Sequence, residues 1–475
     1  MPRVRYEYEQ GAPVPDLTAL RDVRAGEPAT YELVARYLDT EDLRLAARGI
    51  TLREDAAGWH LDLPGEPAQR LRASPADDLP VALVAHLRDR PLVHVATLAT
   101  RRTVTPLVGA DDEVIGEITD DEVTAEADGR TERWREIELT AELPLAAELP
   151  AAEALLRESG ARPARPGLGR LAPPKNPPAR DFRTAGDVIT SYVTEQTGTL
   201  LSYDPRVRRA EYDAVHKMRV SVGRIRSILR TAAPLFDREP VRWLEAELKW
   251  LADELGEVRD LEVLRERFTE RLAELGEPAP AWLDGLGDRE RRAYEGLRHT
   301  LAGERYFAIL DALDAFTADP PLTGRARREA GTAMPALVAG AWRRVLRRHA
   351  ELEHADDPDE ARHRTRKAAK RARYTAEAAR PLLGDPARRL AAQASRVQET
   401  LGAYQDSVIA REHLAELRPT ETEAPTIGRL IVVERDAADQ ALNDAHEVWR
   451  EATDPKYVEA LTSGQGRARD GGVRR

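Results

Sequence analysis

The spacing of apolar residues changes along the chain and divides it into two parts. Before about residue 172, short runs alternate between apolar and polar residues, as in EVIGEITDDEVTAEA at residues 113–127. A period of two residues is typical of β-strands that bury one face. Turn signals such as Asp128-Gly129 separate these runs. We therefore predict an antiparallel β-sheet or β-barrel domain over residues 1–172.

After the sheet region, apolar residues recur at steps of three and four, the period of amphipathic α-helices. Six prolines in the segment 161–182 block helix and strand pairing, so we predict an extended linker at residues 173–184. An all-helical domain is expected at 185–455 and a disordered tail at 456–475. The helical segments are predicted at 185–202, 211–236, 238–271, 288–315, 325–353, 358–383, 385–416 and 424–451.

The helical region contains an internal repeat. The segment VHKMRVSVGRIRS recurs as RHRTRKAAKRARY, and the histidines of the two copies, His216 and His363, are 147 residues apart. A second pair, LGEVRD and LGAYQD, ends on Asp260 and Asp406, which are 146 residues apart. Two motifs at nearly one offset indicate a tandem duplication. The predicted product is a pseudo-symmetric pair of four-helix bundles, at about residues 185–316 and 325–451.

Each copy of the repeat carries cations on one helical face. In the first copy His216, Arg219, Gly223, Arg226 and Arg230 follow one another at steps of three and four, so they share a face. The second copy repeats the spacing and holds seven Lys or Arg residues without an acid. Like charges at this spacing destabilise a helix. The stripes therefore indicate an anionic ligand, although a solvated face or neutralisation by acids elsewhere in the protein would also explain them.

Net charge and composition limit the functional classes. The formal net charge of −11 belongs mainly to residues 1–175, which hold 22 Lys and Arg against 32 Asp and Glu. The chain has no cysteine, which excludes disulfides, thiolate metal sites and cysteine nucleophiles. No apolar run reaches the roughly 18 residues of a membrane span, and we expect no signal segment because MPRVRYEYEQG lacks an apolar core. We expect a cytoplasmic protein.

The repeated motifs resemble the CHAD domain (conserved histidine α-helical domain). They read His-x-x-Arg-Val with Arg-x-Arg, then His-x-x-Arg with Lys-Arg-x-Arg-Tyr, each followed by Leu-Gly-x-x-x-Asp. The resemblance covers roughly residues 183–455 and implies two four-helix bundles around a basic groove that binds inorganic polyphosphate. Gly223 stands where family members usually carry a cation, so we expect the first half to bind more weakly.

The stripes and the resemblance together define the predicted polyphosphate site. Its members are His216, Lys217, Arg219, Arg224, Arg226, Arg230, His363, Arg366, Lys367, Lys370, Arg371, Arg373 and Tyr374. The histidines are expected to donate hydrogen bonds to phosphate or to act as structural donors, since nothing supports nucleophilic catalysis. Asp260 and Asp406 are expected either to cap helices or to orient the arginines.

The first region resembles the CYTH (triphosphate tunnel) domain. YLDTEDLRLAARGITLRED, WHLDLP, EITDDEV and WREIEL fit its pattern over roughly residues 1–172. The resemblance implies a tunnel-like barrel in which cations bind a triphosphate and glutamates hold one or two divalent metals. Several positions that are usually basic are acidic here: Glu54 and Asp55 follow Arg53, and Asp62 takes the place of a lysine. We therefore expect a retained fold without hydrolase activity.

Few tunnel residues remain in this region. They are the vestigial cations Arg53, Arg101, Arg102 and Arg170 and the candidate metal ligands Glu117, Glu136 and Glu138. Mg²⁺ or Mn²⁺ is expected only if the tunnel is active. The leading interpretation is a polyphosphate-binding protein associated with polyphosphate granules. One alternative is an inorganic triphosphatase or polyphosphatase that acts in the tunnel. The other is a nucleic-acid-binding protein, since basic stripes also suit phosphodiesters. Against nucleic acid, the stripes offer Tyr374 as their one stacking ring.

Overall fold

The structure is a computed structural model that describes residues 3–9, 23–64, 69–109, 111–141, 145, 149–164 and 182–463. The chain divides into two compact units, Met1–Lys175 and Asn176–Arg475. The first contains the β-strands and the second is helical, as the change in apolar spacing predicts. Most of the predicted linker and Arg170 lie outside the described residues.

The first unit is built on one ten-stranded antiparallel sheet. Its strand order is β10-β1-β9-β8-β7-β3-β4-β5-β6, and β2 also pairs with β7. The strands are β1 (Arg3–Tyr8), β2 (Arg24–Ala25), β3 (Ala29–Asp39), β4 (Thr51–Asp55), β5 (Gly58–Asp62), β6 (Gln69–Arg70), β7 (Val93–Val108), β8 (Val114–Ala127), β9 (Arg130–Ala141) and β10 (Arg162–Pro163). The predicted antiparallel sheet is confirmed. Among the described residues, the pairings follow an open path rather than a closed ring.

Alternating apolar residues fix the buried side of the longest strands. Ile137 and Leu139 on β9 are buried with Tyr6 of β1. The helix α2 (Leu149–Glu158) packs Leu156 into the same cluster, and a second helix, α1 (Val81–Leu87), covers a separate apolar cluster. Because side chains alternate across a strand, the polar residues between these apolar ones are directed to the opposite face.

The second unit consists of long α-helices. They are α3 (Ala185–Arg208), α4 (Ala214–Thr231), α5 (Arg238–Leu275), α6 (Ala281–Ala302), α7 (Glu304–Ala318), α8 (Ala330–Ala350), α9 (Pro358–Leu383), α10 (Asp385–Glu416), α11 (Ala424–Ala452) and α12 (Lys456–Ser463). None of the helices in the described part of the chain is long and apolar enough to cross a membrane.

Local sequence signals set several helix boundaries. Thr184 and Asp187 form a capping box at the start of α3. At the start of α9, the Asp357 carboxylate accepts hydrogen bonds from two backbone N–H groups, and Pro358 occupies the first helical position. Helix α5 ends at Gly276, which adopts the left-handed conformation that glycine tolerates best.

The prediction of a disordered tail is wrong for residues 456–463, which form α12. Tyr457 and Leu461 are buried, and the Tyr457 hydroxyl donates a hydrogen bond to Glu451 at 3.0 Å. So short a helix offers too few apolar positions for a clear periodic signal, and tertiary packing stabilises it instead. The rest of the predicted tail, residues 464–475, lies outside the described residues.

The two helices that carry the repeated motif, α4 and α9, pack against each other. The apolar stripe of α4 is fully buried at Val215, Met218, Val222, Ile225 and Leu229. Its cationic stripe runs beside this core. Helix α9 buries mainly alanines, whose small side chains permit close approach of a neighbouring helix. The packing thus brings the cations of both copies to one place.

Candidate anion-binding groove

Gly223 and Lys370 meet where α4 and α9 pack together. A Cβ atom at Gly223 would lie 3.1 Å from Nζ of Lys370, closer than ordinary van der Waals contact. The missing side chain therefore leaves room for the ammonium group of the other helix. The two residues occupy equivalent places in the repeat, 147 residues apart. Gly223 thus leaves space for a cation from α9. The sequence-based interpretation of Gly223 as the loss of a cation from α4 does not take this contribution into account.

The two Leu-Gly motifs hold the arginines of the two His-x-x-Arg motifs. A Cβ atom at Gly256 would lie 3.6 Å from Nε of Arg219. One at Gly402 would lie 3.4 Å from Nε of Arg366. Each glycine therefore lets a guanidinium lie directly against the neighbouring helix. Arg219 and Arg366 thus occupy matching places beside the two Leu-Gly motifs.

Five cations in this region make no ion pair with a carboxylate and no side-chain hydrogen bond among the residues that the structure describes. They are Arg219, Arg226, Arg366, Lys370 and Arg371. The Nε atoms of three of these arginines are buried without any hydrogen-bond partner. Burial of an unpaired charged donor costs free energy that an anionic ligand would recover. We refer to these five side chains as the cation cluster.

Burial and mutual repulsion lower the pKa values of two members of the cation cluster. Burial, together with the neighbouring Arg219 and Arg366, lowers the pKa of Lys370 to about 8. Burial, together with Arg230 and Arg344, lowers the pKa of Arg371 to about 10. These shifts show that the protein holds like charges together, which is the arrangement expected of a site for a polyanion.

Both predicted histidines border the cation cluster in uncharged form. Burial lowers the pKa of His216, and Arg259 lowers it further. Burial lowers the pKa of His363, and Lys367 lowers it further. Since the ordinary pKa of a histidine side chain is 6.5, both rings are neutral at pH 7 and each retains one N–H donor. Nδ1 of His363 is buried without a hydrogen-bond partner among the described residues.

A carboxylate neutralises two of the predicted site cations. The Glu377 carboxylate accepts a hydrogen bond from Nε of Arg373 at 2.8 Å, and its other oxygen lies 3.2 Å from Nε of Arg224. The Tyr192 hydroxyl donates to the same carboxylate, and Arg224 also donates to Gln196. This end of the groove is therefore internally paired. In the sequence Glu377 is the first acid after the second stripe, but its pairing with α4 was not predicted.

Of three further predicted site residues, two are exposed and one is buried beside the cation cluster. Lys217 is exposed and lies 3.3 Å from Asp213, and Lys367 is exposed on α9. Tyr374 is buried, at 2% exposure, and its ring lies within 6 Å of Arg224, Lys370 and Arg373. The aromatic face can therefore stabilise the cations by cation–π attraction, but it offers no surface on which a base could stack.

Asp260 and Asp406 are not placed to orient the arginines directly. Asp260 is exposed and Asp406 is half-buried, and neither makes a side-chain hydrogen bond or ion pair with any described residue. Burial raises the pKa of Asp406, whereas Arg366 and Arg267 act against that shift. They also lie inside α5 and α10, away from any helix N-terminus that they could cap. Asp406 therefore interacts with Arg366 through charge alone, and the glycines of the Leu-Gly motifs lie beside Arg219 and Arg366.

A cavity of about 230 Å³ lies beside the cation cluster, between α4, α8 and α9. Arg230, Arg344 and Arg371 line it together with Gly340 and other small residues. Arg230 and Arg371 belong to the site predicted from the sequence, whereas Arg344 does not. The signal was present, because α8 contains four arginines in WRRVLRRH and no acid. This run of cations without acids is the same charge pattern that predicted α4 and α9 to carry the anion site.

In the sheet unit, the three vestigial tunnel cations that the structure describes are paired with carboxylates. Arg53 pairs with Asp55, and Arg101 lies 3.9 Å from Glu32 and 3.8 Å from Glu122. Two parallel hydrogen bonds, at 2.8 and 2.7 Å, join Arg102 to Asp121. Such a bidentate pair offsets the charge of the guanidinium and occupies two of its donors.

Two of the three candidate metal ligands accept hydrogen bonds from other side chains, and the third is exposed. Arg5 of β1 donates a 2.6 Å hydrogen bond to Glu138, its cross-strand partner, and the Trp134 indole donates to Glu136 at 2.7 Å. Glu117 is exposed. No group of three or more His, Asp or Glu side chains able to hold a metal ion occurs within the part of the chain that the structure describes. The structure therefore does not support Glu117, Glu136 and Glu138 as a shared metal site.

Comparison with known proteins defines the class. Residues 191–415 match the CHAD domain family. The chain is 36% identical over 446 residues to the uncharacterized protein Rv2226 of Mycobacterium tuberculosis strain H37Rv, covering 82% of this chain and 83% of that one. Protein MT2285 of strain CDC 1551 matches equally. The chain therefore contains a CHAD domain and belongs to the family that includes these mycobacterial proteins.

Two solved structures resemble the fold. PptA from Streptomyces chartreusis is 22% identical, with a TM-score of 0.48, and the match covers 56% of this chain and 99% of that chain. The CHAD domain of the plant Ricinus communis is also 22% identical, with a TM-score of 0.44, over 63% of this chain and 96% of that chain.

Proposed function

We propose that the protein binds inorganic polyphosphate through the groove formed by α4 and α9. The cation cluster is the observation that carries this proposal, because its five members have no carboxylate partner in the described structure. The CHAD match over the same helices agrees with it. The two four-helix bundles and the tandem duplication implied by the repeated motifs belong to this proposal.

A linear polyphosphate suits the groove better than a nucleic acid. Arg219 and Arg226 are seven residues apart on one face of α4, which corresponds to about 10 Å along a helix. Arg366 and Arg373 repeat this spacing on α9. A chain of phosphates can contact such a row without presenting bases. Because Tyr374 is buried, the groove lacks the exposed stacking ring on which single-stranded nucleic acids depend.

We further propose that the sheet unit is a degenerate CYTH domain that serves as a scaffold and has lost triphosphatase activity. Its described tunnel arginines, Arg53, Arg101 and Arg102, pair with Asp55, Asp121 and other carboxylates, so they offer little charge to a triphosphate. Triphosphate cleavage requires cations on the oxygens and a metal held by carboxylates. The closed tunnel of that family is part of this proposal, as is a cytoplasmic location at polyphosphate granules.

Competition between polyphosphate and RNA tests the proposed ligand. The full chain is loaded with a fluorescent polyphosphate and titrated with unlabelled polyphosphate or with single-stranded RNA of equal total charge, at several salt concentrations. We expect polyphosphate to displace the probe at least tenfold more effectively at every salt concentration. Equal displacement by RNA would favour the nucleic-acid alternative, and no binding of the probe would overturn the proposal.

A further inference from the structure

The two ends of the groove differ although the repeat makes them equivalent. Arg224 and Arg371 are 147 residues apart, at the same position of the two copies. Arg224 lies against Glu377 and Gln196. Nε of Arg371, in contrast, is buried without a partner among the described residues, and Arg371 lines the cavity of about 230 Å³ with Arg344. One end is thus neutralised and the other is an open cationic cavity.

We propose that this cavity holds the terminal phosphate of the polyphosphate chain, so that the chain is bound by its end at α8. This inference rests on the proposed function. The cavity recognises the end of the chain, whereas the remainder of the groove binds terminal and interior phosphates alike. Arg344 is the residue that makes the cavity selective.

The charge of the cavity matches a terminal phosphate. A terminal group carries a second ionisable oxygen, with a pKa near 6 in phosphate monoesters, and so approaches two negative charges at neutral pH. A phosphate inside the chain carries one. The cavity has three guanidinium groups, from Arg230, Arg344 and Arg371. Glu245, 3.6 Å from Arg230, offsets one of them. Two uncompensated positive charges therefore face a group with two negative charges.

The shape of the cavity also suits a chain terminus. Ala336, Leu337, Gly340 and Ala341 of α8 line it, and the three small residues among them leave volume open between the arginines. A Cβ atom at Gly340 would meet no atom within 4 Å. A bulky residue at this position could therefore enter the cavity without disturbing its surroundings. The cavity accommodates a phosphate group with bound water, while the rest of the chain follows the cation cluster.

Binding of a short polyphosphate with free ends, compared with the same chain capped at both ends as phosphoramidates, tests the inference. Capping removes the second charge of each terminal phosphate and leaves the interior unchanged. We expect wild type to bind the free-ended chain about tenfold more tightly. Arg344→Ala should abolish this preference, whereas Arg343→Ala, an equal loss of charge at an exposed position one residue earlier, should retain it.

A variant that fills the cavity without changing its charge provides an independent test. Gly340→Leu should lower the affinity for free-ended chains to that for capped chains. Equal affinity of wild type for the two chains would overturn the end-binding inference and leave the proposed function intact. An Arg344→Ala variant that lowers both affinities by the same factor would overturn it as well. Failure of wild type to bind either chain would instead overturn the proposed function.

Discussion

Arginines line the candidate sites of both units, but their neighbours differ. In the sheet unit, Arg102 is joined to Asp121 by two hydrogen bonds, and Arg5 faces Glu138 across the strand pair. In the helical unit, Arg226 and Arg366 are partly buried and have no carboxylate partner among the described residues. Arginines thus pair with carboxylates in the sheet unit, whereas these two arginines of the helical unit have no such partner among the described residues.

The difference shows that the number of arginines does not define an anion site. An exposed ion pair contributes little to stability, but it removes most of the charge that a ligand could use. An unpaired and partly buried guanidinium keeps its full charge and its donors. The ability to bind polyphosphate should therefore follow pairing rather than composition, and each prediction below tests that dependence.

Charge reversal in the cation cluster should produce the largest effect. We expect Arg226→Glu/Arg366→Glu to lower polyphosphate affinity at least about 100-fold, since each charged hydrogen bond is worth about 1.5–3 kcal/mol. Isothermal titration measures this. Arg36→Glu/Arg101→Glu, at exposed and already paired arginines of the sheet unit, is the matched control and should bind within twofold of wild type. Equal loss in both double variants would remove the distinction between the units.

Filling the space at Gly223 should have the next largest effect. Gly223→Leu displaces the Lys370 ammonium and should weaken polyphosphate binding about tenfold. Helix propensity should meanwhile raise the free energy of unfolding by up to about 1 kcal/mol. Gly198→Leu, at an exposed helical glycine with open space around it, is the control and should leave binding unchanged. If Gly223→Leu binds as tightly as wild type, Lys370 is not part of the site.

The pH dependence of binding should show a smaller effect of Lys370. Because burial and neighbouring arginines lower its pKa to about 8, the ammonium is charged at pH 7 and neutral at about pH 9.5. Polyphosphate affinity should fall several-fold over this interval in wild type, and Lys370→Arg should flatten the profile. Fluorescence titration at constant ionic strength measures it, and identical profiles for the two proteins would contradict the assignment.

Deprotonation of Lys370 should lower polyphosphate affinity as pH rises but should increase the stability of the unliganded protein. Between about pH 8 and 10.5, the unfolded state, in which Lys370 has the ordinary lysine pKa of 10.5, holds the proton more firmly than the folded state does. The unfolding free energy of unliganded wild type, relative to Lys370→Arg, should therefore rise with pH in this window. Denaturant titrations at several pH values test the sign.

The sheet unit should show the smallest effects. The full chain, incubated with tripolyphosphate and Mg²⁺ or Mn²⁺, should release no phosphate above the background rate. Arg102→Gln should change polyphosphate affinity less than twofold and stability by at most about 1 kcal/mol, because the pair with Asp121 is partly exposed. Robust phosphate release that Arg102→Gln abolishes would show that the tunnel is active.

The sequence predicted the coarse organisation of the chain, a sheet unit followed by a helical unit. Periods of two and of three to four residues separated the sheet from the helices, and the 147-residue offset identified α4 and α9 as partners. Pairing could not be predicted, because the contact of Glu377 with Arg224 joins residues on different helices. Helix α12 was missed because it is stabilised by the burial of Tyr457 and Leu461 rather than by periodicity.

The space that glycines leave for cations of a neighbouring helix could not be predicted from the sequence either. Gly223 is recognisable as a departure from the family pattern, but the room it leaves for Lys370 depends on how two helices cross. The Leu-Gly motifs drew attention to Asp260 and Asp406, whereas Gly256 and Gly402 contact the arginines. Arg344, in contrast, could have been found with the charge criterion already applied to α4 and α9.

The salt dependence of polyphosphate binding tests the central claim most directly, because the slope counts the counterions displaced by cations that are free to bind. With the five members of the cation cluster engaged, the plot of log affinity against log salt should have a slope of about −3 to −5. Arg366→Gln should reduce its magnitude by about one, and Arg102→Gln should not. A slope near zero, or one reduced by Arg102→Gln but not by Arg366→Gln, would contradict the account.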